Sequence, residues 1–337
     1  MLFYKDLERI VFTRNELVKC DELIVISGYV GPTPVSKLAE LPIRSTVIYG
    51  MYGSDGIQSR LHSALLEQNS LLERTSVLYS TTPVHSKCYI WRLKNEVVAS
   101  LIGSANFSTN GLTTPFKEVL AESTVDTFEA LNEYIELVLK QSIPCEEAKI
   151  TKLNRRREVV SKSTELDFKD GIASMPLYRI EAGQKVMAEK NGLNWGMAKL
   201  SGSHVNINDA NIQIRTDIIK HYPDIFPSKQ KAPLDDSTGR RARHNDAIEI
   251  LWDDGTTMVG LLEGSQSQEK NGVKVKYPKQ ISSHPRKRIM GEYLRKRLGV
   301  PEGQAIKYAD LESYGRDDIS ISLQGEGIYY FDFNNGK

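Results

Sequence analysis

Residues 84–108, which read VHSKCYIWRLKNEVVASLIGSANFS, are the part of the sequence that says most about the fold. Two apolar runs in this stretch, Val84–Trp91 and Val97–Ile102, carry the β-branched and aromatic residues typical of buried strands. Side chains alternate between the two faces of a strand, so His85 and Lys87 are expected to point to the same side. One short segment therefore presents an imidazole and an ammonium group together.

Helix and strand patterns alternate on both sides of this stretch. Apolar residues recur at helical spacing in residues 7–18, 58–68 and 127–140. Further compact apolar runs, typical of strands, occur at Glu22–Gly28, Ser45–Tyr49, Ser76–Tyr79 and Glu118–Ala121. This alternation predicts an α/β domain over residues 1–145.

The pattern dissolves between Pro144 and Ser174, where charged and small residues replace it. This segment contains Arg155-Arg-Arg157, and we predict a linker over residues 146–174. A chain of 337 residues is long enough for two domains that each bury a core. A second domain is therefore expected over residues 175–337.

Short strands separated by turn signals characterise this second domain. Two hairpins are predicted around glycine-containing turns, formed by Ala247–Trp252 with Thr256–Leu262 and by Ile319–Leu323 with Ile328–Phe333. A clear helix over residues 286–298 follows Pro285 and stops at Gly299. These patterns predict a β-rich barrel or sandwich that carries a helix or two.

Composition and cysteine usage argue against several classes of protein. Hydrophobic residues make up 40% of the chain, but no apolar run approaches the roughly 18 residues that a membrane helix needs. The first 19 residues mix both charge signs and lack a secretory pattern, so we expect a cytoplasmic protein. The three cysteines, Cys20, Cys88 and Cys145, are widely spaced and favour neither a disulfide framework nor a structural zinc site.

Charge is distributed unevenly between the two halves. Residues 1–150 carry 14 Lys and Arg against 18 Asp and Glu, and residues 151–337 carry 30 against 25, giving net charges of −4 and +5. A basic second half favours nucleic acid as a partner.

The second half is also rich in amide and basic side chains, which suit base edges and phosphates. The residues singled out as candidates for DNA binding are Asn194, Trp195, Lys199, Arg215, Gln266, Gln268 and Lys270. The alternative is that these side chains belong to solvated loops. Two further basic clusters are Arg286-Lys-Arg288 and Arg295-Lys-Arg297. They either contact phosphates or form the solvent-exposed face of the predicted amphipathic helix.

The spacing of polar residues around His85 resembles that of the phospholipase D superfamily. His85-Ser-Lys87 is followed nineteen residues after the lysine by Asn106, within Gly103-Ser-Ala-Asn-Phe-Ser108, and Glu118 lies twelve residues further on. The resemblance implies that His85 attacks phosphorus and forms a covalent phosphohistidine. It implies that Lys87 and Asn106 hold the non-bridging oxygens and that the Ser104 hydroxyl adds a donor. Glu118 would orient the His85 ring through its second nitrogen. No divalent metal or other cofactor is expected for cleavage.

The match departs from the superfamily pattern in one position and is present in one copy. Arg92 stands where the pattern usually has an aspartate, five residues after the lysine, and its presence weakens a lipid-hydrolase reading more than a nuclease one. The mechanism needs a second histidine as the acid, and a homodimer would supply it as a second copy of His85. His62, the other histidine before the linker, is an alternative source of this acid, but its helical pattern predicts a position on the helix surface.

The order of features along the chain is similar to that of the NgoFVII-type restriction endonucleases. The segments that carry the resemblance in the second half are LNWGMA, HYPDIFP, ILWDDGT, LRKRLGV, ADLESYGR and YYFDF. The family implies a B-three-like pseudobarrel that grips the major groove of double-stranded DNA with two loop arms, here about Gly192–His204 and Gly264–Lys276. It also implies a cognate methyltransferase and cooperation with a separate helicase-like ATPase, since this chain has no GxxxxGK[ST] phosphate loop.

Two other functions are compatible with parts of this pattern. The first is a DNA-binding protein whose phospholipase D-like half is a non-catalytic dimerisation domain. The second is a lipid hydrolase, which would be expected to carry two HxK motifs and a membrane-facing element. The complete set of His85, Lys87, Asn106 and Glu118 favours the nuclease.

Overall fold

The computed structural model describes residues 1–150, 171–202, 204–222, 224–229, 245–270 and 272–336. It divides into two compact units, the first formed by Met1–Arg157 with Gln324–Ile328 and the second by Glu158–Leu323 with Tyr329–Lys337. Most of the linker predicted at residues 146–174, with its arginine triplet, lies outside the described residues.

An eight-stranded mixed sheet forms the centre of the first unit. Its strands are β1 (Leu2–Phe3), β2 (Glu22–Ser27), β3 (Arg44–Tyr49), β4 (Thr75–Ser80), β5 (Lys87–Leu93), β6 (Glu96–Gly103), β7 (Leu120–Glu122) and β8 (Ser142–Pro144). Their order in the sheet is β1-β7-β6-β5-β2-β3-β4-β8. Strands β2, β3 and β4 run parallel, whereas β5 pairs with β2 in the antiparallel sense.

The helices of this unit connect the strands and cover the sheet. They are α1 (Leu7–Leu17), α2 (Pro32–Lys37), α3 (Tyr52–Asp55), α4 (Ser59–Leu71), α5 (Thr109–Thr113) and α6 (Phe128–Lys140). Helix α6 is amphipathic, and its Leu131, Ile135 and Val138 share one core cluster with Ile24 and Ile90 of the sheet. The predicted α/β architecture is confirmed.

Strand β5 begins three residues later than the sequence pattern predicts. The ladder between β2 and β5 ends where Ser27 pairs with Lys87. The Val84 amide donates instead to the Gly50 carbonyl at 2.9 Å, in the loop after β3. His85 therefore lies just beyond the end of the sheet, on an extended segment rather than inside a strand.

A curved seven-stranded sheet dominates the second unit. The strands of this unit are β9 (Ile172–Pro176), β10 (Arg179–Glu181), β11 (Gln184–Val186), β12 (Ile212–Gln213), β13 (Asp246–Trp252), β14 (Thr257–Glu263), β15 (Gln266–Lys270), β16 (Val273–Tyr277), β17 (Gln280–Ser283), β18 (Asp318–Gly325) and β19 (Ile328–Asp332). The large sheet has the order β12-β17-β14-β13-β19-β18-β9. Both end strands contribute to one core cluster, Met175 from β9 and Ile212 from β12, so the sheet curves around it as a nearly closed barrel.

The helices of the second unit are α7 (Thr216–His221), α8 (Arg288–Leu298) and α9 (Tyr308–Tyr314). The predicted stop of α8 at Gly299 is confirmed, because this glycine caps the helix at a φ of 70°. The predicted arms form a 3-10 segment, Gly192–Ser201, and the separate hairpin of β15 and β16. No helix among the described residues combines the length and apolar character that crossing a membrane requires.

Candidate active site

Three side chains of the His85 motif converge on Gly28, directly after β2. A Cβ atom at this position would lie 3.0 Å from His85 Cδ2, 3.3 Å from Lys87 Nζ and 3.5 Å from Asn106 Oδ1. The register of the sheet causes this convergence, since the end of β2 lies beside the start of β5 and β5 pairs with β6. A Cβ at this position would crowd the tips of the three side chains, and glycine leaves the space between them open. Sequence analysis did not single out Gly28.

The His85 ring lies against a buried ammonium group. Lys87 Nζ donates to the His85 carbonyl oxygen at 2.7 Å and lies 3.1 Å from its Nδ1 atom. Burial lowers the pKa of Lys87, against the opposing effect of the Glu326 and Glu118 carboxylates. His85 itself is exposed, so its ring is open to a substrate. The expected juxtaposition of the two side chains is present, although His85 precedes the strand.

Asn106 is buried and its amide is oriented by backbone contacts. Its Oδ1 atom accepts a hydrogen bond from the Tyr29 amide at 3.2 Å and lies 3.4 Å from Ser27 Oγ. The Ser27 hydroxyl also accepts from the Phe107 amide at 2.9 Å, which ties the two loops together. Because the amide oxygen is occupied, the Asn106 NH₂ group is the end that remains to donate to an oxyanion.

The Asn106 NH₂ group and Lys117 already hold a carboxylate in this unit. Asn106 Nδ2 donates to Glu326 Oε2 at 3.1 Å, and Lys117 Nζ donates to Glu326 Oε1 at 2.8 Å. Two donors that grip the two oxygens of one carboxylate are also suited to two oxygens of a phosphate. Lys117 was missed by sequence analysis, because no spacing rule marks it beside Glu118.

Glu118 and Ser104 bond to each other rather than to the His85 ring. The Ser104 amide donates to the Val119 carbonyl at 3.0 Å, and the Val119 amide donates to Ser104 Oγ at 3.1 Å. This pairing brings the Glu118 carboxylate to the Ser104 hydroxyl, with which it forms a hydrogen bond. Burial raises the pKa of Glu118, although that hydrogen bond acts to lower it. Among the described residues Glu118 is not a hydrogen-bond partner of His85, so the expected contact is replaced by an edge-on contact with the Tyr29 ring at 6.0 Å.

Two other residues of the first unit have structural roles. The prediction that His62 lies on the surface is wrong: it is 3% exposed, and its Nδ1 atom is 3.1 Å from the Tyr79 hydroxyl. Burial lowers the pKa of His62. Arg92, at the position of the missing aspartate, is also buried and donates to Glu22 Oε2 at 2.6 Å. Neither side chain is directed at the cluster over Gly28.

Two of the predicted DNA-binding amides are consumed by the fold of the second unit. Asn194 is 1% exposed, and its Nδ2 and Oδ1 atoms pair with the backbone oxygen and nitrogen of Ile306, both at 2.8 Å. Gln266 Nε2 donates to the carbonyl oxygens of Ile214 and Pro278 at 2.7 and 2.9 Å. An amide whose hydrogen-bonding atoms are satisfied internally has none left for a base edge, so Asn194 is corrected to a structural residue. Gln266 is half-buried; its Nε2 donors are used internally, and its Oε1 atom accepts from the Thr216 hydroxyl at 3.3 Å.

Trp195 and Lys199 lie on one open cavity of the second unit. Basic side chains from a different part of the chain complete its wall, namely Arg286, Lys287 and Arg288, and His204 also lines it. Lys287 Nζ lies 4.4 Å from the centre of the Trp195 ring, a cation–π contact. The cavity thus gathers basic and aromatic groups of the kind that contact nucleic acid.

The remaining candidates lie on other parts of this unit. Arg215 donates to the Tyr178 carbonyl at 2.6 Å, which uses part of its guanidinium group. Gln268 is half-buried on β15, opposite Val275. The Lys270 side chain falls outside the described residues. For metals, no group of three or more His, Cys, Asp or Glu side chains suited to an ion is found in the part of the chain that the structure describes.

Two family models match the chain, one for each unit. The NgoFVII restriction endonuclease N-terminal PLD domain matches residues 5–152, and the NgoFVII C-terminal B3-like DNA-binding domain matches residues 170–324. The chain belongs to the NgoFVII restriction endonuclease family. This membership confirms the predicted pair of a phospholipase D-like domain and a B3-like domain.

Two similar solved structures each cover less than half of this NgoFVII-family protein. NucT from Helicobacter pylori is 17% identical, with a TM-score of 0.31, over 43% of this chain and 97% of its own. A polyphosphate kinase from Porphyromonas gingivalis is 13% identical, with a TM-score of 0.30, over 46% of this chain and 24% of its own. No match was found among curated proteins. By its family, the protein is a DNA nuclease with a DNA-binding domain.

Proposed function

We propose that this NgoFVII-family nuclease cuts DNA phosphodiester bonds at or near a short recognition sequence through a covalent phosphohistidine on His85. The observation that carries the proposal is the convergence of His85, Lys87 and Asn106 on the space over Gly28. His85 supplies a nucleophile and Lys87 a cation at this point, and the Asn106 side chain, whose Oδ1 atom faces Gly28, carries an NH₂ donor on the same amide. In the proposed reaction no step requires a divalent metal.

The reaction proceeds in two displacements at phosphorus. A ring nitrogen of His85 attacks, the N–P bond forms, and the P–O bond to the leaving nucleoside breaks as that oxygen takes a proton from a general acid. Water then attacks phosphorus, the N–P bond breaks, and a base takes the proton of the water. Lys87 and the Asn106 NH₂ group offset the charge on the non-bridging oxygens in both transition states.

A homodimer supplies the missing acid. The sequence of the first unit contains two histidines, and the one besides His85, His62, is buried against Tyr79 and is not available to a substrate. Two copies related by a two-fold axis would each contribute one His85 to a shared centre. One His85 then attacks while its counterpart protonates the leaving oxygen.

The DNA-binding domain directs this centre to its site. We further propose that the enzyme works in the cytoplasm beside a cognate methyltransferase, which would protect the host DNA, and with a separate helicase-like ATPase. The second unit supplies exposed cations, Lys199 and Arg288 among them, for the DNA backbone.

The first experiment is cleavage of a mixed-sequence plasmid in EDTA, with and without any helicase-like ATPase whose gene adjoins that of this protein. We expect discrete fragments from the wild type and none from His85→Ala. His221→Ala is the matched control, because that exposed histidine bonds to the backbone of its own helix. Cutting that requires magnesium, or that survives in His85→Ala, contradicts the mechanism; sequence-specific binding without any cutting favours the non-catalytic DNA-binding alternative.

The shared centre is tested with mixed dimers. Differently tagged wild-type and His85→Ala chains are coexpressed and the heterodimer is purified by both tags. A shared centre predicts a heterodimer that is inactive, because one of its two required histidines is missing. A heterodimer with half of the wild-type activity would show independent sites.

A further inference from the structure

A tyrosine and an aspartate stand beside the His85 ring, outside the motif that the family resemblance identifies. The Tyr29 ring meets the His85 ring edge-on, with centroids 6.0 Å apart and an interplanar angle of 83°. The Tyr29 hydroxyl donates to Asp55 Oδ2 at 2.8 Å. The same residue's amide donates to Asn106, so Tyr29 contacts two members of the catalytic set.

The parallel strands β2 and β3 bring this pair to the site. Ser27 and Tyr49 are paired at the carboxyl ends of the two strands, and Tyr29 follows two residues after the first of them. The next turn is fixed to the same edge, because the Met51 amide donates to the Gly28 carbonyl at 3.0 Å. Helix α3 follows this turn and ends at Asp55. The position of Asp55 is therefore set by backbone hydrogen bonds.

The protonation states suit a donor and an acceptor. Burial and the hydrogen bond to Asp55 raise the pKa of Tyr29 to about 12, so its hydroxyl keeps its proton. Hydrogen bonds from Ser54 and Tyr29, together with the nearby His85, lower the pKa of Asp55. The pair is thus a neutral phenol bonded to a carboxylate.

The His85 ring needs such support, because it lies on an exposed segment that precedes β5. Its ring nitrogens face the Lys87 ammonium, while Glu118 is held by Ser104. Lys87 cannot accept a hydrogen bond, and its positive charge opposes the charge that the ring gains as nitrogen bonds to phosphorus. The nearby Asp55 carboxylate, which interacts electrostatically with His85, offsets that charge.

We propose that Tyr29 and Asp55 are a positioning pair, in which Tyr29 holds the His85 imidazole in its attacking orientation and Asp55 fixes the Tyr29 ring and offsets the charge on the imidazole. This inference rests on the proposed function and deepens it, since it names residues that govern the chemical step. The pair acts through His85 and does not itself bond to the phosphate.

A double-mutant cycle on kcat tests the pair. Tyr29→Phe keeps the ring but removes the hydrogen bond, and Asp55→Asn removes the charge. Each change is expected to lower kcat about tenfold with KM unchanged, the factor typical of one charge-assisted hydrogen bond. If the two residues act as one unit, the double variant is no slower than either single variant. Tyr29→Leu, which also removes the ring edge, should lower kcat roughly 100-fold.

The control is Tyr52→Phe, because the Tyr52 hydroxyl is 2.7 Å from the Lys149 amide and its ring packs on Tyr79 instead of His85. It should leave kcat unchanged. Acid-quenched single turnovers, in which the phosphohistidine is counted, separate the two levels of the proposal. A wild type that forms no phosphohistidine overturns the proposed function and this inference with it. A wild type that forms it, with variants that alter only KM or whose effects multiply, overturns the positioning pair alone.

Discussion

The cluster over Gly28 and the cavity beside Trp195 differ in how their side chains are held. At the first, each member is oriented by a short contact, such as Asn106 by the Tyr29 amide and Lys87 by the His85 carbonyl. At the second, Lys287 is half-buried and paired with Glu263 at 2.9 Å, but Lys199, Arg286 and Arg288 are exposed. Lys199 has no ion-pair partner among the described residues. The difference suits the function that we propose for each surface. Bond breaking needs groups fixed in place, whereas attraction of a phosphate backbone tolerates mobile charges.

The largest effect is expected from Gly28→Ala, which changes the cluster formed by His85, Lys87 and Asn106. The added Cβ would meet His85 Cδ2 at 3.0 Å and lie in the space on which His85, Lys87 and Asn106 converge. A displacement of this order should lower single-turnover cleavage roughly 100-fold. Thermal unfolding and DNA affinity, measured on the same variant, should stay near the wild-type values. Equal loss of stability and activity would show that Gly28 serves folding alone.

Asn194→Ala tests whether a predicted reader is in fact part of the core. The buried amide makes two hydrogen bonds to the Ile306 backbone, and its loss should reduce the free energy of unfolding by about 2 kcal/mol. Urea unfolding measures this change, and the folded variant should retain its sequence preference. Asn206→Ala, at an exposed asparagine in the same region, is the control and should change stability by less than about 0.5 kcal/mol. A changed DNA recognition sequence in Asn194→Ala would contradict this structural role and show that Asn194 contacts the bases.

Lys117→Met tests a cation that lies beside Asn106 but outside the His85 motif. Its ammonium holds one oxygen of Glu326 while Asn106 holds the other. If the same pair of donors grips a phosphate, cleavage should fall about tenfold. Lys149→Met, at an exposed lysine of the same unit, should have no effect. Equal cleavage by the two variants would remove Lys117 from the site.

The two surfaces also differ in how far sequence could predict them. The closeness of His85, Lys87 and Asn106 could be predicted, because the expected chemistry demands fixed residue types and strand pairing brings regularly spaced residues together; their catalytic roles stay a prediction. Sequence analysis missed Gly28 and Tyr29, since their proximity to His85 depends on the register between β2 and β5. Asn194 was misassigned because residue type cannot distinguish an amide aimed at a base from one that satisfies a buried backbone. Glu118 illustrates a third limit, in which the expected residue is present but a neighbouring hydroxyl takes its hydrogen bond.

The smallest effect is expected from Lys199→Met, at the cavity beside Trp195. An exposed cation that neutralises one phosphate releases about one counterion on binding, so its loss should weaken DNA affinity only a few-fold at moderate salt. The slope of log affinity against log salt concentration should then become shallower by about 1, equally for specific and nonspecific DNA. Lys296→Met, on the exposed face of α8 outside the cavity, provides the comparison and should leave the slope unchanged. The opposite pattern, with Lys296 altering the slope and Lys199 not, would move the DNA contact from the Trp195 cavity to the outer face of α8.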